Sequence, residues 1–162
     1  MGHPKTFRRR RSLRLEGFDY RYPGPYHVVL GTFQRQPLLA TAPLIEALVG
    51  ELAAVATAMG ATVYAYCFMP DHAHLLVALP GGVYLSQFVQ EFKGRSTRVF
   101  WHHGGTGRLW QRGFYDHILR AEEDVHAMAR YIMANPVRRG LVQDFREYVG
   151  SGSLVFRRDD LS

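Results

Sequence analysis

The chain holds one cysteine, Cys67, among 162 residues, so an internal disulfide is excluded. A lone thiol suits a reducing compartment, and a cytoplasmic protein is the expectation. No apolar run is expected to approach the ~18 residues that a membrane-spanning helix needs. A secretory leader is not expected, because the basic N-terminal residues lead into Leu13-Arg14-Leu15-Glu16 instead of an apolar stretch. Internal repeats and low-complexity linkers are missing too, which points to a basic arm over residues 1–20 and a single domain over 21–162. Between Gln36 and Phe92 there is no Lys or Arg, only Glu46, Glu51, Asp71 and Glu91.

The positive charge lies on either side of that gap. Six basic residues, Lys5, Arg8, Arg9, Arg10, Arg11 and Arg14, account for the whole net charge of +6. A second group, Lys93, Arg95, Arg98, Arg108, Arg112 and Arg120, faces only Asp116. Two basic regions flanking a slightly acidic centre suit a polyanion bound around a core. With 47% hydrophobic and 21% charged residues the rest is ordinary globular composition.

Hydrophobic periodicity supplies the elements. Tyr26 to Phe33 is β-branched and aromatic and reads as a strand. Leu44, Ile45, Leu48, Leu52 and Val55 fall at helical spacing before Gly60. Thr62–Met69 and His74–Leu79 read as two strands of a hairpin joined at Met69-Pro70-Asp71. A helix is expected over 85–100, a strand over 113–120, and a last helix over 121–135, acidic at its start (Glu122, Glu123, Asp124) and stopped by Pro136. The order β-α-β-β-α-β-α predicts an α+β fold, a ferredoxin-like antiparallel sheet with helices on one face.

Two constellations carry chemistry. His72 and His74 stand two apart at the entry to a strand, so they share a face with Cα atoms roughly 6.5–7 Å apart, and two imidazoles at that separation can meet one metal ion. Asp71 is placed to orient one of them. In the last helix Tyr131 and Asn135 are four apart, one turn along the same face. The Asn135 carbonyl is a hard donor that could complete a His-His-Asn site for Mg²⁺ or Mn²⁺, while a tyrosine oxygen can attack phosphorus. The bland alternatives are a core aromatic for Tyr131 and a helix-end residue for Asn135.

These residues sit in a pattern that resembles the REP-associated tyrosine transposases, of the single-tyrosine HUH transposases. The similarity takes in Arg11-Ser12-Leu13-Arg14-Leu15, Phe68-Met69-Pro70-Asp71-His72-Ala73-His74, Trp110-Gln111-Arg112-Gly113-Phe114-Tyr115-Asp116-His117, and Tyr131-Ile132-Met133-Ala134-Asn135-Pro136. It implies an enzyme of mobile-element transposition and DNA recombination. His72 and His74 would be its metal ligands and Tyr131 its nucleophile, giving a 5′-phosphotyrosine and a free 3′-hydroxyl on single-stranded DNA with hairpins or palindromic repeats. Some relatives carry Gln at the position of Asn135, which is one methylene shorter. Relatives include monomers and dimers that exchange the tyrosine helix, so a homodimer is one expected assembly.

Competing assignments remain open at this level. Tyr115 shares a strand face with His117, a base or third ligand for it, and is the rival nucleophile. His27 and His117 are candidates for supporting the site, and Cys67 on an apolar strand reads as core. Lys93, Arg95, Arg98, Arg112 and Arg120, with Trp110 and also Trp101 or Phe114 as stacking platforms, are the expected DNA contacts. The alternatives to cutting and rejoining are a non-cleaving hairpin-binding module and a water-using metal phosphoesterase.

Overall fold

Five antiparallel strands order the molecule, and their register decides which side chains meet. The computed structural model describes residues 25–120, 124–157 and 160. The basic arm over 1–20 and the acidic pair Glu122 and Glu123 lie outside these.

The strands are β1 (Tyr26–Gly31), β2 (Thr62–Met69), β3 (His72–Ala78), β4 (Tyr115–Ile118) and β5 (Ser151–Gly152), in the spatial order β4-β1-β3-β2-β5. The first four reproduce the expected ferredoxin-like β-α-β-β-α-β arrangement. The hairpin of β2 and β3 forms as expected, but β3 begins at His72, so both histidines lie within the strand. β4 is shorter than expected: Gly113 sits at φ +72°, a left-handed value that interrupts extended backbone, and pairing starts at Tyr115.

Helix α1 (Ala42–Met59) carries Pro43 in its first turn and ends on Gly60, whose left-handed φ of +67° lets its N–H reach Ala56 and Thr57 carbonyls. At mean hydropathy 1.5 it is long and apolar enough to cross a membrane by length and composition, although Glu46 and Glu51 interrupt its apolar run. Its Leu44, Ile45, Leu48, Leu52 and Val55 are buried in the core. Helix α2 (Leu85–His102) buries Phe88, Val89, Phe92 and Phe100 in the same core. The sheet contributes Tyr26, Val28, Leu30, Phe68, Leu75 and Val77 to it.

The expectation of helices on one face holds for α1 and α2. Helix α3 (Val125–Met133) instead covers the opposite face, where Ala129, Ile132 and Met133 pack on Ala65, Cys67, Met69 and Leu76. The reason is legible in the strands: β2 and β3 are apolar at successive positions, so both of their faces need covering. α3 is also shorter than expected. Asp124 caps it by accepting from the His126 N–H at 2.8 Å, and it ends at Met133, with Asn135 opening a separate turn, α4 (Asn135–Arg138). Pro136 is the cause, since it cannot donate a helical hydrogen bond.

Candidate active site

Alternation along β3 turns Ala73, Leu75 and Val77 into the main core and places His72 and His74 on the α3 face. Cross-strand register adds neighbours to that face. Val29 pairs with His74 and Tyr115, and His27 pairs with Leu76 and His117. Four histidines, His27, His72, His74 and His117, therefore share one side of three adjacent strands.

The two strand histidines are held differently. His72 Nδ1 lies 2.6 Å from Asp71 Oδ1; with the carboxylate as acceptor, Nδ1–H donates and Nε2 keeps its lone pair. Partial burial pushes the Asp71 carboxyl up, but the hydrogen bond and charge of His72, with Arg35 at 3.6 Å, outweigh this and leave it below its ordinary value. Arg35 is brought there by an unusual turn: Gln34 and Arg35 take φ of +53° and +54° without being glycine. Thr32 braces the turn, its hydroxyl donating to the Gln36 and Asp71 carbonyls at 2.6 and 3.0 Å. His74 Nδ1 lies 3.0 Å from His27 Nε2, and the two rings stack at 5.3 Å. If His74 Nδ1–H donates to His27, Nε2 of His74 keeps its lone pair.

Burial sets the protonation of this group. It depresses His72 despite the opposing pull of Asp71. Burial, reinforced by His27, His72, Arg138 and Arg139, holds His74 well below its ordinary value. Burial and His117 bring His27 down to about 4. All three are thus neutral imidazoles near pH 7, the form in which a ring nitrogen can donate to a metal.

Asn135 reaches the same spot from α4. It is 5% exposed, and its Nδ2 lies 3.4 Å from His72 Nε2 while Oδ1 accepts from Arg138 NH2 at 3.3 Å. Among the described residues no three His, Cys, Asp or Glu side chains form a metal-holding group. The neutral imidazoles and the buried amide fit a divalent ion with one adjustment. Turning the amide would exchange Oδ1 and Nδ2, directing the oxygen toward His72 Nε2 and giving up its bond from Arg138.

Tyr131 is joined to this group by Arg138. The phenol ring is 54% exposed, and the Arg138 guanidinium lies 3.9 Å from its centroid. NH1 of the same guanidinium donates to the Tyr131 carbonyl at 2.7 Å. Among the described residues the Tyr131 hydroxyl makes no hydrogen bond. Arg138 was not singled out by sequence reasoning, and a single helical period does not reveal it, because Tyr131 lies in α3 and Arg138 in α4. Tyr115 sits on the same sheet face, two strands from His74 through Val29.

The expected DNA contacts divide. Lys93 is half-buried, its ammonium donating to the Gln111 and Gly113 carbonyls at 2.8 and 2.6 Å, and Arg95 is paired with Glu51 and Glu91. Trp110 is 5% exposed and donates to Ser96 Oγ, and Phe114 is buried as well, so neither offers a ring face to a base. The even spacing of aromatics between arginines does not reveal which ones the core takes. Trp101, 51% exposed, is the available platform, and Arg98, Arg112 and Arg120 are exposed. Cys67 is buried as expected, its thiol pushed up to about 12 by burial.

A profile of the family described as "Transposase IS200 like" matches residues 21–135. The chain is 31% identical over 109 residues to a Haemophilus influenzae protein provisionally named REP-associated tyrosine transposase, covering 59% of this chain and 58% of that protein. It is 30% identical over 98 residues to the REP-associated tyrosine transposase of Escherichia coli K12, covering 59% and 54%. The chain thus matches little more than half the length of either. Among solved structures, a REP-associated tyrosine transposase bound to a REP hairpin superposes with a TM-score of 0.66 at 24% identity, over 86% of this chain and 82% of that one, and shows the same fold.

Proposed function

The chain belongs to the family of IS200-like transposases, and from that premise we propose that it nicks and rejoins single-stranded hairpin or palindromic-repeat DNA through a phosphotyrosine at Tyr131. The observation that carries this reading is the position of Asn135. One buried amide is in reach of His72 Nε2 on one side and tied through Arg138 to Tyr131 on the other.

A Mg²⁺ or Mn²⁺ ion held by His72, His74 and the Asn135 amide oxygen would polarise the scissile phosphate. The protein's own groups do the rest. Asp71 fixes the ring of His72, and His27 that of His74, so both present a defined nitrogen. The Tyr131 oxygen forms a bond to phosphorus as the bond from phosphorus to the 3′-oxygen breaks. The phenol gives up a proton and the departing 3′-oxygen takes one. The 5′-phosphotyrosine keeps the energy of the phosphodiester, so a 3′-hydroxyl can attack it and restore a DNA strand without another energy source.

The partner in this reading is hairpin DNA, the kind of ligand that the hairpin-bound relative carries. The test is a hairpin oligonucleotide incubated with the chain and Mn²⁺, then run under denaturing conditions. A protein–DNA adduct that disappears with a chelator supports the proposal. Tight binding without adduct in any divalent metal supports a non-cleaving binding module, and free 5′-phosphates without adduct support a phosphoesterase.

A further inference from the structure

Away from the histidine face, helix α2 and the segment following it enclose an open cavity of about 760 Å³, within the range of small-ligand pockets. One stripe of α2 builds its wall: Gln90, Gly94, Thr97 and Trp101 recur at helical spacing. Gly94, in the middle of the stripe, faces open space: a Cβ there would meet nothing within 4 Å. Arg98, Arg108 and Arg112 rim the cavity, and its lining contains no Asp or Glu.

Trp101 is fixed although half of it is exposed. Its Nε1 donates to the Gly107 carbonyl at 2.8 Å, so the indole is held by one edge. Gly107 can offer that carbonyl because it sits at φ +74°, a left-handed value. The floor is rigid too, with Trp110 bonded to Ser96, and Lys93 tying the Gln111 and Gly113 carbonyls to α2. Across the rim, the Arg108 guanidinium rests 5.5 Å from the Phe33 ring centroid. The cavity lies at the His72 end of the sheet: Gln111 N–H donates to the Gly31 carbonyl at 2.9 Å, and Gly31 is the cross-strand partner of His72.

A held, exposed indole beside three arginines and no acid matches one kind of ligand, an aromatic base with an anionic backbone. We infer that this cavity is a subsite for an unpaired nucleotide of the bound strand, its base stacked on Trp101 and its phosphates met by Arg98, Arg108 and Arg112. The subsite rests on the reading of the chain as a single-strand DNA enzyme, and it extends the bound strand beyond the histidine face.

The test uses oligothymidylate of about twelve nucleotides, within the usual span of single-strand sites, and the full chain carrying Tyr131→Phe so that binding is read without cutting. Trp101→Ala should weaken binding by about tenfold, Trp101→Phe should retain most of it, and fully paired DNA should bind all three proteins alike. Fluorescence adds a signature that charge alone cannot give. Binding should quench the exposed Trp101, and the quenching should vanish in Trp101→Phe, which leaves the buried Trp110 as the only indole. Equal affinity of the Trp101→Ala protein for oligothymidylate, or equally effective competition by poly-glutamate, would overturn the subsite. Adduct formation by the wild-type chain is scored separately. Trp101-dependent binding without an adduct sinks the cutting mechanism alone, whereas an adduct without Trp101 dependence sinks the subsite alone.

Discussion

The Arg138 guanidinium lies 3.9 Å over the ring of Tyr131 while donating 2.7 Å to the carbonyl of the same residue. One side chain thus holds both the ring and the backbone of the proposed nucleophile, and its other nitrogen bonds to Asn135 at 3.3 Å. Arg138 lies in α4, beyond the break that ends α3 at Met133.

Arg138→Ala should therefore slow adduct formation by about tenfold or more while moving the melting temperature little, because an exposed cation–π contact stabilises by only about 0.5–1 kcal/mol. Arg138→Lys should not restore the rate, since an ammonium lacks the planar fork that serves the ring and the carbonyl together. Single-turnover kinetics beside thermal melts check this. Wild-type rates in Arg138→Ala would remove the residue from the account.

Asp71→Asn should leave the fold intact but release the ring of His72. Loss of such a support for a ligating histidine typically weakens metal binding by about 10–100-fold. Calorimetric titration with Mn²⁺ measures it, and undiminished affinity would show that Asp71 does not orient a ligand.

Much of this site was legible from spacing. His72 and His74, two apart on a strand, needed only the strand period. Tyr131 and Asn135, expected one turn apart on one helix, instead fall in α3 and α4 on either side of a break. Arg35 was not legible, because its approach to Asp71 depends on two non-glycine residues in left-handed conformation, which sequence statistics disfavour. β5 was hidden for another reason. It is two residues long and exists through pairing with the distant Tyr66 and Cys67 and the bond from Ser151 Oγ to the Met133 carbonyl. Trp110 and Trp101 look alike in sequence, and packing alone separates the buried one from the exposed one.

Lys93 makes a pH prediction. Burial, with the nearby Arg108 charge, lowers its ammonium to about 8. Below that pH both folded and unfolded chains hold the proton. Between about 8 and 10.4 the unfolded chain holds it and the folded chain has lost it, so this group makes stability rise with pH. The difference between wild-type and Lys93→Met unfolding free energies should shift in favour of the wild type across that window, by up to about 3 kcal/mol. Chemical denaturation at a series of pH values measures it; a constant difference would mean that the folded chain keeps Lys93 charged.

Cys67 should be inert to thiol reagents in the native chain near pH 8, where burial keeps it protonated, and should react in full once the chain is unfolded. As the only thiol it reports opening of the β2 region alone. Rapid labelling under native conditions would contradict the packing of α3 over β2.

The most direct measurement of the central claim is to digest the protein–DNA adduct with trypsin and identify the peptide that carries the nucleotide. Cleavage after Arg130 and Arg138 releases residues 131–138, and cleavage after Arg112 and Arg120 releases residues 113–120, so Tyr131 and its rival Tyr115 fall in different peptides. The account predicts the nucleotide mass on the Tyr131 peptide and no adduct from Tyr131→Phe. Nucleotide on the Tyr115 peptide, or an undiminished adduct from Tyr131→Phe, would contradict it.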